Sequence, residues 1–140
     1  MDIKRNVFIT GGAKRIGAKI SEILASKGCN VIIHYNKSLA AAQKLCKKIN
    51  KYKKSAIIVQ ADLCVEEEIK KAFKIAKNNF GYIDCLINNA SLFEYDNLKT
   101  VNKKSWNNHI SANLNGPVVL SKLFYKNLPK KNYGDIINII

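Results

Sequence analysis

The sequence predicts a doubly wound α/β fold, a single parallel sheet with helices packed on both faces. Two observations carry that prediction. Short apolar runs rich in Val and Ile alternate with longer stretches whose apolar residues recur at helical spacing, which is the order of βαβ units. The short runs are also nearly continuous in their apolarity, as strands must be when helices cover both sides of the sheet. At 140 residues the chain makes one domain, 1–140, long enough to bury a sizeable core.

Taken in order, the first strand is expected at 5–10. The helix after it shows an apolar stripe of Ile16, Ile20, Ile23 and Leu24 and is stopped by Gly28. A second strand at 30–35 leads to a helix with the stripe Leu39, Ala42, Leu45, Cys46 and Ile49, with Ser38 at its N-cap. The third strand, 55–60, precedes a helix marked by Ile69, Ala72, Phe73 and Ala76. Its first turn holds Glu66, Glu67 and Glu68, which suit the positive helix end, and Glu66–Lys70 and Glu67–Lys71 are pairs at i,i+4. After a fourth strand at 83–88 comes a long helical region, about 103–128, with a kink expected near Asn115-Gly116-Pro117. A fifth strand occupies 134–140. Right-handed crossovers then give the strand order 3-2-1-4-5.

Chemistry first appears between the first strand and the first helix, in Thr10-Gly11-Gly12-Ala13-Lys14-Arg15-Ile16-Gly17. Glycines there let the backbone turn tightly and approach a pyrophosphate, whose charge then sits at a helix N-terminus. A P-loop is excluded, because Gly17 is followed by Ala18 rather than Lys-Ser/Thr. The spacing fits T-G-x-x-x-[G]-x-G with Arg15 in the bracketed place, a dinucleotide loop of a Rossmann-type fold.

The end of the second strand selects the cofactor. A site for NAD places Asp or Glu about 20 residues beyond the glycine loop to accept the ribose 2′-OH. Here no acidic residue occurs between Glu22 and Asp62, and the strand ends in His34-Tyr35-Asn36-Lys37-Ser38. With Lys14 and Arg15 nearby, these donors suit a 2′-phosphate, each charge-assisted bond contributing roughly 1.5–3 kcal/mol. The expected cofactor is NADP(H).

On these residues the sequence resembles the short-chain dehydrogenase/reductase family over essentially its whole length. The resemblance rests on Thr10–Gly17, Asp62-Leu63 after the third strand, Asn88-Asn89-Ala90 after the fourth, and Asn113 in the long helix. It implies that Asp62 and Leu63 meet the adenine, and that Asn89 and Ala90 line the cofactor. It also implies that Asn113 belongs to a catalytic Asn-Ser-Tyr-Lys tetrad, where it helps hold a proton-relay water.

Further details resemble the pteridine reductases within that family. These are Lys14-Arg15-Ile16-Gly17, the His34-Tyr35-Asn36-Lys37-Ser38 segment, Val59-Gln60-Ala61-Asp62-Leu63, and Asn88-Asn89-Ala90-Ser91-Leu92-Phe93. The resemblance implies that Phe93 stacks on a pterin, and that Arg15 and Ser91 contact substrate or cofactor phosphate. A flat aromatic side chain offers the right surface for a heteroaromatic ring.

The same resemblance places the tetrad Ser (Asp in pteridine reductases) just after the run Asp135–Ile140, and Tyr-x-x-x-Lys on the following helix. Tyr82, Tyr125 and Tyr133 have no Lys four residues later. The sheet is therefore expected to be truncated after the fifth strand, the catalytic and substrate-covering part to lie in a longer parent, and the 140 residues to be inactive alone.

Composition bounds the rest. The net charge is +14, but 22 of the 24 basic residues are Lys, scattered over expected helix faces without a nucleic-acid signature. A solvated surface is favoured over a nucleic-acid partner. No apolar run approaches the ~20 residues of a membrane span, and Met1–Arg5 runs straight into Val7-Phe8-Ile9, so a cytoplasmic protein without a signal peptide is expected. Cys29, Cys46, Cys64 and Cys85 are too far apart for a C-x-x-C, no metal site is expected, and most should be buried free thiols. The leading reading is an NADPH-dependent reductase of a pterin C=N bond, a homo-tetramer in the full-length parent. The alternatives are a carbonyl reductase acting on 3-oxoacyl thioesters and a non-catalytic NADPH-binding module.

Overall fold

In the computed structural model, which describes residues 4–140, five parallel strands form one sheet in the order β3-β2-β1-β4-β5. The strands are β1 (Asn6–Ile9), β2 (Asn30–Tyr35), β3 (Ala56–Gln60), β4 (Cys85–Asn88) and β5 (Asp135–Asn138). Between them lie α1 (Arg15–Ser26), α2 (Leu39–Asn50), α3 (Glu66–Phe80), α4 (Lys103–Ile110), a π-helical turn (Ser111–Asn115) and α5 (Gly116–Asn127). Order and direction agree with the sequence expectation. Met1–Ile3, where no leader was expected, lie outside the described residues.

Strand alternation builds two cores. Val7, Ile9, Val31, Ile33 and Ile87 face Ala42 and Leu45 of α2, with Ile20 and Leu24 of α1 packed against the edge. Phe8, Ile32, Val59 and Leu86 face Ile69, Ala72, Phe73 and Ala76 of α3, and Leu120 and Phe124 of α5. Both faces of the inner strands are therefore apolar, which is why the strand runs read as continuous rather than alternating. After β3 the chain crosses to β4 on the far side of β1, so the winding reverses between β1 and β4. Loops at the carboxyl ends of strands part at such a point and leave a crevice.

Several local expectations shift. The α1 stripe does not face inward as a whole: Ile16 is 62% exposed and Ile23 47%, while Gly17 and Ser21 are buried. The close approach of α1 to the loop before it admits only small residues on that line. Leu39 is exposed, and Ser38 precedes α2 without a side-chain cap bond. Lys70 pairs with both Glu66 (3.0 Å) and Glu67 (2.7 Å), which replaces the expected Glu67–Lys71 pair. Gly28, at φ +93°, does terminate α1, with Cys29 N–H donating to the Leu24 carbonyl. Cys29 and Cys85 are buried and Cys46 half-buried, but Cys64 is exposed.

The kink expected near Asn115-Gly116-Pro117 takes the form of the π-helical turn, in which the Gly116 N–H reaches the Ser111 carbonyl five residues back. Pro117 has no N–H to offer a carbonyl at the normal four-residue spacing, and that carbonyl is Asn113's. The wide turn lets the helical stretch continue past the proline.

Candidate functional site

The cleft at the carboxyl ends of the strands has a volume of about 670 Å³. Four loops and two helices build it, and each is held in place by identifiable bonds. The Gly11 backbone turns at φ +60°, a left-handed conformation that glycine adopts without steric cost. Gly17, in the first turn of α1, lies so close to this loop that an added Cβ would overlap the Gly11 carbonyl oxygen and sit 2.7 Å from Asn89 Nδ2. The helix thereby presents its N-terminus at the cleft, where its first N–H groups have no intrahelical partner.

Thr10, from the end of β1, is buried and does not line the cleft. Its Oγ1 accepts hydrogen bonds from Asn89 N–H and Ala90 N–H, both 2.9 Å, and so ties the glycine loop to the exit of β4. Asn89 Nδ2 donates back to the Thr10 carbonyl at 2.9 Å. His34 is 2% exposed. Its Nδ1 accepts from Gly11 N–H (3.1 Å), and its Nε2 lies 3.0 Å from the Ala61 carbonyl. A carbonyl only accepts and an amide only donates, so the ring is neutral with its proton on Nε2. Burial pushes the His34 pKa down, outweighing the Ala61 bond and the Asp62 charge that favour the proton. Both ring nitrogens are thus engaged by protein groups, and His34 serves the glycine loop as a brace.

The residues brought together along the cleft include Gly11, Lys14, Arg15, Ile16, Gly17, His34, Asn36, Lys37, Asp62, Leu63, Asn89, Ala90 and Ser91. Tyr35 is buried behind them and Ser38 stands beyond the lining. Lys14, Arg15 and Lys37 make one end cationic, with Asn36 and no carboxylate at the end of β2. Arg15 has φ +51°, the one left-handed backbone among the described non-glycine residues. Asp62 uses Oδ1 to accept Cys64 N–H (2.8 Å), which fixes the turn leaving β3.

Asn113 reaches the opposite wall rather than the cleft interior. Its Oδ1 accepts Leu92 N–H (2.7 Å) and its Nδ2 donates to the Leu92 carbonyl (2.8 Å). Phe93 is 81% exposed and stands just outside the lining, flanked by Leu92 and Glu94, which belong to it. Sequence reasoning missed Cys64, Leu92, Glu94, Asn108 and Ala112, which also line the cleft. None has a role of its own in the motifs: Leu92 lies within one motif segment and Cys64 and Glu94 directly follow one, while Asn108 and Ala112 are brought here by the fold of the helical stretch. It also passed over Tyr95 and Lys99, which do have the Tyr-x-x-x-Lys spacing. That segment is not helical and both residues are exposed, so the spacing does not put the pair on one face. Among the described residues no group of three or more His, Cys, Asp or Glu gathers as a metal site, and no helix is long and apolar enough to cross a membrane.

The family model described as short chain dehydrogenase matches residues 5–140. A 3-oxoacyl-[acyl-carrier-protein] reductase, FabG, of Buchnera aphidicola is 34% identical over 137 residues, covering 97% of this chain and 54% of its own length. The structure of FolM alternative dihydrofolate reductase 1 from Brucella canis, complexed with NADP, aligns with a TM-score of 0.90 at 40% identity, over 96% of this chain and 53% of that one. A short chain dehydrogenase from Burkholderia cenocepacia in complex with NADP aligns with a TM-score of 0.89 at 29% identity, over 96% and 54%. The chain spans about half the length of the curated relatives it matches.

Proposed function

Because the chain belongs to the short chain dehydrogenase family, we propose that it is the cofactor-binding portion of an NADP(H)-dependent reductase acting on a pteridine of the dihydropterin or dihydrofolate type. The observation that carries the cofactor is the cationic end of the cleft. Lys14, Arg15, Asn36 and Lys37 converge there, and no carboxylate stands where a ribose 2′-OH would need an acceptor. Two charge-assisted bonds to a 2′-phosphate, at roughly 1.5–3 kcal/mol each, favour NADPH over NADH by orders of magnitude.

The residues divide the work along the cleft. Gly11, Gly17 and the first turn of α1 receive the diphosphate, while Asp62 and Leu63 border the adenine. Asn89, Ala90 and Ser91 line the ribose and nicotinamide side. NADPH supplies the hydride when bound. Asn113 holds the substrate-side loop through Leu92, and its own carbonyl faces a helix position where Pro117 has no N–H to give. That carbonyl is the group proposed to hold the relay water. The proton donor and its lysine are proposed to come from outside these 140 residues, and the chain alone to bind without turnover. A homo-tetrameric assembly and a cytoplasmic setting belong to the same reading.

The pteridine assignment is supported by Phe93, exposed beside the cleft, and by the 40% identity to the FolM structure. The 34% identity to a 3-oxoacyl-[acyl-carrier-protein] reductase favours a second reading, reduction of a 3-oxoacyl thioester. Titration of this chain with NADPH and NADH tests the cofactor: equal affinities refute the 2′-phosphate assignment. NADPH oxidation by a protein carrying the chain, with dihydrobiopterin against an acetoacetyl thioester, separates the substrates. Turnover of the thioester alone refutes the pteridine reading, and NADPH binding without turnover of either points to a non-catalytic module.

A further inference from the structure

The loop leaving β4 places an exposed ring, Phe93, between two backbone N–H groups that are both taken by side chains of the long helical stretch. Leu92 N–H goes to Asn113 Oδ1 at 2.7 Å. Glu94 N–H goes to His109 Nε2 at 3.0 Å, and His109 Nδ1 lies 2.8 Å from the Ser105 carbonyl. The amide can only donate, so Nε2 is bare; the carbonyl can only accept, so Nδ1 carries the proton. Both partners demand the same neutral tautomer, the opposite of the one His34 adopts. One turn earlier, Ser105 Oγ donates to Asp96 Oδ2 at 2.6 Å, pinning the far end of the loop to the same helix.

We propose that His109 is a positioning residue for the substrate-side loop, acting with Asn113 to set the angle at which Phe93 overhangs the cleft. At 81% exposure the Phe93 ring has little packing of its own to fix it. Its direction is therefore set by its chain neighbours, and both neighbours are anchored through their amides. Without the His109 bond the loop keeps its anchors at Leu92 and Asp96, and the span between them is released, which frees Phe93 and Glu94 to move but leaves Ser91 and the cofactor side in place. The role in ring binding rests on the pteridine reading above; the clamp itself does not.

The test compares the chain with its His109→Leu and His109→Gln variants, all loaded with NADPH. Amide hydrogen exchange at Glu94 and Leu92 is followed by NMR. Exchange at Glu94 is expected to rise about tenfold in His109→Leu, the loss of one hydrogen bond, and to recover in His109→Gln, whose side-chain oxygen accepts the same N–H. Leu92 should stay protected in all three, which shows that the fold is intact. Unchanged Glu94 exchange in His109→Leu overturns the clamp. Dihydrobiopterin affinity, read by fluorescence quenching on a protein carrying the chain, should fall about tenfold in His109→Leu, recover in His109→Gln, and vanish in Phe93→Ala. If that protein binds no pterin while Glu94 behaves as expected, the clamp stands and the pteridine reading falls.

Discussion

Replacing Arg15 with glycine should make the protein more stable and a poorer binder of NADPH. Arg15 holds φ +51° at the start of α1, where a side chain costs roughly 1–2 kcal/mol relative to glycine. Glycine gains that relief but loses about 0.5–1 kcal/mol to the greater freedom of the unfolded chain. The net is a stabilisation of about 0.5–1 kcal/mol, or roughly 2–3 °C in Tm for a domain of this size. Losing the guanidinium removes the charge-assisted phosphate contact proposed for it, worth about 1.5–3 kcal/mol, so Kd should rise roughly 10- to 100-fold. Arg15→Ala separates the two effects, since it discards the charge and keeps the strained backbone. Its affinity should match the glycine variant and its Tm should not rise. Thermal melts by circular dichroism and fluorescence titration with NADPH measure both quantities. A glycine variant no more stable than the alanine variant refutes the strain, and unchanged affinity in both refutes the phosphate contact.

Gly17→Ala drives a Cβ into the Gly11 carbonyl and Asn89 Nδ2, so a loss of at least about 2–3 kcal/mol is expected, read as a drop in Tm approaching 10 °C. A melt within a degree of the parent would show that α1 can back away from the loop. His34 gives a pH signature. Its folded-state pKa is lowered by burial, so the unfolded chain takes up a proton near pH 6.5 that the folded form resists. The stabilisation is complete above that pH and is lost as the pH falls through it, by up to about 1.4 kcal/mol per unit. Denaturant melts between pH 7.5 and 5 should show a shallower acid decline in His34→Gln than in the parent; parallel profiles would exclude His34 as the source. Asn36→Asp supplies the missing carboxylate at the end of β2 and should shift the NADPH to NADH affinity ratio at least tenfold toward NADH, with an unaltered ratio counting against the 2′-phosphate site.

Much of this fold was legible because its signals are local. Val7-Phe8-Ile9 and Val31-Ile32-Ile33 announce strands buried on both faces, and Ile69, Ala72, Phe73 and Ala76 announce the face of α3 that is in fact buried. The α1 reading failed for a physical reason. Periodicity assumes that the largest apolar residues face inward, but at α1 the tight approach of Gly17 and Ser21 sets the rotation, and Ile16 and Ile23 are carried outward. Side-chain size was overruled by backbone proximity.

The cleft shows the same division. Residues whose chemistry is tied to a motif, such as Gly11, Lys14, Arg15 and Asn89, were identifiable because the glycine loop and the Asn-Asn-Ala segment each have a recognisable pattern. The residues that hold those motifs in register were not. Thr10 reads as the first letter of a phosphate loop, yet its hydroxyl is spent on Asn89 and Ala90, 79 and 80 residues away. His109 belongs to no motif, and its partner Glu94 becomes visible only once the helical stretch is folded beside the loop. The Thr10 contacts depend on the strand order, which puts β1 next to β4, and no short window along the chain contains both halves of one; the Glu94–His109 contact spans only 15 residues but depends on the loop folding back along the helix. A motif names residues that line the cleft; the long-range anchors fix where those residues stand. Positioning losses should therefore concentrate at Thr10, His34 and His109, three residues with polar atoms committed to backbone groups on a neighbouring segment.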